Sequence, residues 1–232
     1  AEGSSNNKYF KIFNPTSESV DLSNYAYPSV SNAPTTMGVH EYWNTFDEGA
    51  TIAPGDVYVV AHPSSDPIIL EQADETHAYL SNGDDGYALA FGSDESHILI
   101  DMIGDFMGDP GSGWEVAGIS NATKDHTLVR KMSVSQGNTD WTLSAGTSAD
   151  DSEWVVLDLD TWVYLGSHTE LQASILGCTD ASANNYNLDA TSDDGSCTYD
   201  VSGCTDPSAS NYNADATSDD GSCEFISLAD AA

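Results

Sequence analysis

The sequence predicts an all-β protein, an antiparallel β-sandwich followed by two small, disulfide-stapled, loop-rich repeats. Three observations lead there. Upstream of residue 172, short segments alternate apolar and polar residues, as strands with one buried face do. Clusters of Gly, Pro, Asn, Asp and Ser separate those segments. All four cysteines lie between 178 and 223, inside a stretch that occurs twice.

Strands are expected near 8–13 (KYFKIF), 19–22 (SVDL), 56–61 (DVYVVA), 87–91 (YALAF), 97–103 (HILIDMI), 127–132 (TLVRKM) and 161–165 (TWVYL). Turn chemistry falls between them. Ala53-Pro54-Gly55-Asp56 and Asn82-Gly83-Asp84-Asp85-Gly86 each precede a strand, and Asp109-Pro110-Gly111-Ser112-Gly113 breaks the chain before Trp114. No long window sustains a helical period, although Leu70 to Leu80 and Trp154 to Leu159 have room for a short turn. Seven strands at such intervals favour an antiparallel sandwich. Residues 166–176 are expected to form a linker or a last edge segment.

The 232 residues include 38 acids and only 5 bases, a formal net charge of −33. Lys8, Lys11, Lys124, Arg130 and Lys131 are too few to displace counterions from a phosphate backbone, which excludes nucleic acid as a partner. The same sign disfavours anionic membranes. No apolar run reaches the length of a membrane span, and the first residues lack the basic-then-apolar pattern of a signal peptide. The chain is therefore expected to be a mature protein or an excised piece, with no direct membrane insertion. Its 39% hydrophobic and 9% aromatic content exceeds that of a disordered acidic tail, so it is expected to fold. No basic residue follows Lys131, so the last 101 residues alone carry −18 and residues 1–131 carry −15.

Gly177 to Cys197 and Gly203 to Cys223 match at 18 of 21 positions, at an offset of 26. Units this small cannot bury a core of their own and rely on a staple. Four cysteines allow three pairings. The repeated separation of 19 favours Cys178 with Cys197 and Cys204 with Cys223. Zinc would need closely spaced cysteine pairs, which are absent. Such cross-links imply an oxidising compartment, outside the cell or on its surface.

Between the cysteines lie Asp180, Asn184, Asn185, Asn187, Asp189, Asp193 and Asp194, then Asp206, Asn211, Asn213, Asp215, Asp219 and Asp220. Carboxylates and amide carbonyls crowded in a loop are hard oxygen ligands suited to calcium. The candidate metal set is Asp180, Asn185, Asn187, Asp189, Asp193, Asp194, Asp206, Asn211, Asn213, Asp215, Asp219 and Asp220. An EF-hand pattern is not met, because Ala190 and Ser192 stand where ligands belong. The competing reading is that these residues close turns and keep the surface soluble.

Nothing else reads as catalysis, and the chain is expected not to be an enzyme. His40, His62, His77, His97, His126 and His168 are dispersed, and His126 beside Asp125 lacks a third partner. Gly111-Ser112-Gly113 is not a nucleophile elbow. Asp84 and Asp85 are expected in a hairpin turn, and Arg130 and Lys131 in ion pairs with neighbouring acids.

A further reading comes from the order of motifs. Asn14-Pro15-Thr16, Val20-Asp21-Leu22-Ser23, Ile52-Ala53-Pro54-Gly55-Asp56, Tyr58-Val59-Val60, Gly83-Asp84-Asp85-Gly86 and Leu99-Ile100-Asp101 occur in series. Thr127-Leu128-Val129-Arg130-Lys131, Asp140-Trp141, Ser152-Glu153-Trp154 and Leu165-Gly166-Ser167-His168 follow. This series resembles the lamin-tail domain of secreted bacterial proteins over about 1–168. The resemblance implies an immunoglobulin-like β-sandwich that serves as a non-catalytic appendage, often beside extracellular nucleases or phosphatases. Members begin with an extra hydrophobic strand before the stretch that starts here at Glu2. Its absence implies an open sheet edge, where another chain adds a strand. The repeats resemble acidic cysteine-containing repeats of large secreted proteins of marine bacteria.

The expected organisation is a sandwich over 1–172, a linker with the first repeat over 173–202, and the second repeat with its tail over 203–232. The expected function is a secreted structural or adhesion module, stabilised by calcium and self-assembling into a filament or surface layer. Its partner would be a protein or cell surface, or itself by strand addition. The alternative is a targeting domain excised from a larger secreted hydrolase such as a nuclease.

Overall fold

The computed structural model describes residues 1–168, 178–187, 193 and 195–226. Two compact units divide the chain, Ala1–Leu171 and Gln172–Ala232. The first is mainly β. Strands β1 (Tyr9–Phe13), β5 (Val57–Ala61) and β6 (Glu75–Thr76) form one sheet in the order β1-β5-β6. Strands β3 (Tyr25–Ala26), β7 (Tyr87–Ser93) and β8 (Ser96–Ile103) form a second in the order β3-β7-β8. Two-stranded ladders join β2 (Val20–Asp21) to β4 (Thr51–Ile52) and β9 (Thr127–Arg130) to β10 (Trp154–Leu157). These sheets are small and separate.

Strand β5 explains why the unit holds together. All five of its residues are buried, and its alternate side chains feed two different cores. Val57, Val59 and Ala61 pack with Tyr9, Ile69 and Leu165 on one face. Tyr58 and Val60 pack with Leu22, Tyr27, Phe46 and Ile52 on the other, where Phe10 and Ile12 of β1 and Tyr87 and Leu89 of β7 also lean in. A third core gathers Trp114, Val116, Trp141 and Trp154, with Leu128 of β9 and Val156 of β10. Burying side chains of this size stabilises by about 1.5–3 kcal/mol each.

Hairpin β7–β8 carries a register shift at Leu89/Ala90, where Ile100 is the extra residue between Leu99 and Asp101. Gly104 follows β8 with φ +72, and a Cβ there would lie 2.6 Å from the Trp114 ring, so only glycine lets the third core close. Helix α1 (Pro67–Leu70) starts with Pro67 behind an Asp66 cap that accepts from Ile68 N. Helix α2 (Trp141–Ala145) is capped by Asp140, which accepts from Leu143 N, and ends at Gly146.

Several expectations need correction. Residues 161–165 do not form a strand; they enter a turn closed by Leu165 N donating to Trp162 O, which swings Leu165 into the first core. The last strand of this unit is β10 at Trp154–Leu157, where only a short turn had room in the pattern. Asp84 and Asp85 lie not in a hairpin but in the loop before β7, held by Ser81 Oγ accepting from Gly83 N and Asp85 N. Lys131 makes no carboxylate pair among the described residues; its Nζ donates to the Ala149 carbonyl.

Arg130 does pair as expected. Its guanidinium donates to Asp101 Oδ1 at 2.7 Å and to Glu153 Oε2 at 2.9 Å, and lies 4.3 Å over the Trp154 ring. Asn138 and Ser144 complete the cluster by donating to Glu153. This links β8 to the β9–β10 ladder. Replacing Arg130 with Met strands two half-buried carboxylates, and a loss of about 3 kcal/mol is expected in denaturant unfolding.

Candidate functional site

Both repeats close as disulfide loops, Cys178 with Cys197 and Cys204 with Cys223, each with Cα atoms 4.8 Å apart. Among the described residues no cysteine is free. The same small interior forms twice: Cys178 and Ala183 are buried in one copy, Cys204 and Ala209 in the other. The same hydrogen bonds recur. Asn187 N donates to Cys178 O and Asn213 N to Cys204 O, while Ala183 N and Ala209 N close turns onto Asp180 O and Asp206 O. In the second copy β11 (Ser202–Gly203) and β12 (Ser218–Asp219) add a short parallel pair.

The candidate ligands are woven into these loops. Asn185 donates through Nδ2 to Ser196 O at 2.7 Å, and its Oδ1 accepts from Thr198 N at 2.8 Å. Asn211 repeats this with Ser222 O at 2.6 Å and Glu224 N at 2.8 Å. These two amides clamp the loop, so their carbonyl oxygens are already engaged. Asp180 Oδ1 accepts from Ser182 N and Oγ, and Asp206 Oδ1 from Ser208 N and Oγ. Those bonds hold both carboxyls below the usual range. Asp193 and Asp219 accept from Gly195 N and Gly221 N, and Asp220 accepts from Ser222 N. Asn213 Oδ1 accepts from Asp215 N, which uses the backbone of Asp215 and not its carboxylate. Asp189 and Asp194 lie outside the described residues. Contacts also differ between copies: Tyr199 OH donates to Asp180 Oδ2 at 2.7 Å, and Phe225 at the matching position has no hydroxyl. Among the described residues no three His, Cys, Asp or Glu side chains converge as a metal set.

In the first unit the histidines are not all dispersed. His40 Nε2 lies 2.8 Å from Asp94 Oδ1, and the rings of His40, Trp43 and His97 pack together with centroids 4.8–5.3 Å apart. Hairpin β7–β8 brings Asp94 and His97 to a surface loop 54 residues upstream. No sequence spacing reports that meeting. His126 and Asp125 form no dyad: the His126 ring binds Lys124 O, and Asp125 N donates to Glu2 Oε2.

A second feature lies between strands. A cavity of about 360 Å³ is lined by Phe10 and Ile12 of β1, Leu89 of β7, Met102 of β8 and Leu128 of β9. Lys11 borders it, with Nζ donating to the carbonyls of Tyr164 and Ser167. Burial lowers the Lys11 amine to about 8. Burial also raises the hydroxyls of Tyr9, to about 12, and of Tyr27, Tyr58 and Tyr87.

No protein-family model, no curated protein and no solved structure matches this chain.

The shifted amine has a measurable consequence. Between about pH 8 and its ordinary value of 10.5, Lys11 binds fewer protons folded than unfolded, so stability rises with pH across the lower part of that window. Above about pH 10 the unfolded tyrosines ionise first and the trend reverses. The melting temperature is therefore expected to climb from pH 8 to about 10, and Lys11→Met is expected to flatten the climb in melts across a pH series.

Proposed function

We propose that this chain works outside the cell as a non-enzymatic structural or adhesion module. In this reading residues 1–172 are a lamin-tail-like, immunoglobulin-like β-sandwich that carries the interaction surface. The acidic repeats are a stapled, calcium-stabilised spacer, and the partners are proteins or cell surfaces, including further copies of the chain.

The observation that carries the reading is the pair of disulfides closing two copies of one loop. Cross-links of this kind persist in oxidising compartments. The sandwich part is supported by the core that β1 and β5 share with Tyr87 and Leu89 of β7, the arrangement of two sheets facing one another. Among the described residues no helix is long and apolar enough to cross a membrane.

Calcium enters through charge. No Lys or Arg follows residue 131, and acids crowded without cations repel one another. The ligands assigned to calcium are the aspartate carboxylates and asparagine amide oxygens of the two loops, with backbone carbonyls and water completing the shell. Protein recovered from outside the cells is expected to show no free thiol by mass, and to melt at a higher temperature in calcium than in chelator. Free thiols would overturn the compartment, and indifference to both additions would remove calcium.

A further inference from the structure

We infer that Lys8 and Asn82 join through a side-chain amide bond, which the folded protein forms on itself with Glu2 carrying the protons. The new bond runs from Lys8 Nζ to Asn82 Cγ, and ammonia is released.

The reacting groups already meet. Lys8 Nζ donates to Asn82 Oδ1 at 2.6 Å, although 74 residues separate the two. The lysine side chain is only 8% exposed, and the carboxylate paired with it, Glu2 Oε1 at 3.9 Å, belongs to a side chain 12% exposed. An ammonium has three N–H groups to satisfy, and one carboxamide with one long ion pair compensates a buried charge poorly. Arg130 shows the contrast, with carboxylates at 2.7 and 2.9 Å. In a chain of 38 acids a closer partner for Lys8 is not hard to supply. An amide made from the lysine suits this site better than the ammonium does.

Both partners are held in place beforehand, which turns a slow exchange between an amine and an amide into an effectively unimolecular step. Lys8 leads into β1, its N–H donating to Asn6 O and its carbonyl accepting from His62 N. Asn82 lies in the loop before β7, which is fixed by Ser81 Oγ accepting from Gly83 N and by Thr123 Oγ1 donating to Gly83 O. Glu2 Oε2 accepts from Asp125 N at 2.7 Å, leaving Oε1 to face Lys8. Asn82 is exposed, and its Nδ2 makes no hydrogen bond to a described residue, so the leaving group has a path to solvent. Asp85 shares the loop but makes no ion pair with Lys8; burial raises its carboxyl, and the charge of Lys8 opposes that rise. Glu2 is therefore the group assigned to proton transfer.

The chemistry balances within these three side chains. Glu2 Oε1 takes a proton from the Lys8 ammonium, and the freed lone pair attacks Asn82 Cγ. Glu2 passes that proton to Nδ2 and collects a second from Nζ. The Cγ–Nδ2 bond then breaks, ammonia departs, and Glu2 is left protonated and neutral beside the new amide. No co-reactant is needed. The 3.9 Å separation closes by side-chain rotation, since proton-transfer contacts are often long in the resting state. The product ties the start of β1 covalently to the loop before β7.

The inference concerns the first unit alone, so its failure would leave the disulfides, the compartment and calcium untouched. Intact mass spectrometry of the full chain, followed by peptide mapping, is the test. The wild type is expected to be lighter by one ammonia than its sequence with two disulfides, and its digest is expected to contain one peptide pair joined through Lys8 and Asn82. Lys8→Arg, Asn82→Ala and Glu2→Gln are each expected to restore the full mass. A succinimide at Asn82-Gly83 would also lose ammonia, but it would survive Lys8→Arg and yield no joined pair. A wild type of full mass, or an ammonia loss that persists in Lys8→Arg, would overturn the bond. A joined pair that forms unhindered in Glu2→Gln would overturn the role of Glu2.

Discussion

Scarcity of positive charge governs how this protein is built. Every buried carboxylate needs compensation, and five basic residues cannot serve 38 acids. Arg130 is therefore shared by Asp101 and Glu153, and even so burial holds the Asp101 carboxyl above its usual value. Elsewhere neutral donors do the same work. Glu75 is buried in β6, where Tyr27 OH, Tyr58 OH and Asp47 N donate to it. Asp151 accepts from Thr147 and Ser148, bonds that lower its carboxyl to about 2. The high Ser, Thr, Tyr and Asn content is thus the counterpart of the acidity, because hydroxyls and amides stand where another protein would place lysine.

The same constraint shapes the repeats. Among the described residues each buries a half-cystine and one alanine, with Gly203 beside them in the second copy. A disulfide supplies by constraint what burial cannot, about 3 kcal/mol for a loop of this length in the chain-entropy model. Aspartates then close turns by accepting backbone N–H groups, and asparagines tie the two arms of each loop. The two copies share these bonds, as their near-identical sequences lead one to expect.

Much of the strand pattern was legible because alternation reports a half-buried ladder directly. Tyr9–Phe13, Tyr87–Ser93 and Ser96–Ile103 lie within a few residues of their expected places. Trp154–Leu157 was not, since WVVL is apolar throughout and shows no alternation, although only Trp154 and Val156 face the third core. Conversely 161–165 alternates without being a strand, because Trp162 and Leu165 turn inward to cover the first core. Strands of two residues such as Glu75–Thr76 carry no period at all. Composition tells which oxygen atoms the repeats hold, and only the closed loop shows that Asn185 and Asn211 each accept a backbone N–H through Oδ1.

What the sequence determined by itself was local or duplicated: the β-rich composition, the charge asymmetry, the turns, and the pairing of cysteines read from one spacing used twice. These depend on near neighbours or on self-comparison, which a single chain displays. What only the tertiary structure decided was convergence over distance. Arg130 meets Asp101 and Glu153, His40 meets Asp94 and His97, and the edges of β1 and β9 face each other across an apolar cavity. Residues 23 to 57 positions apart, and strands more than a hundred apart, become neighbours in a unit whose strand β5 is buried on both faces and shared by two cores. No period or spacing in the chain encodes that outcome.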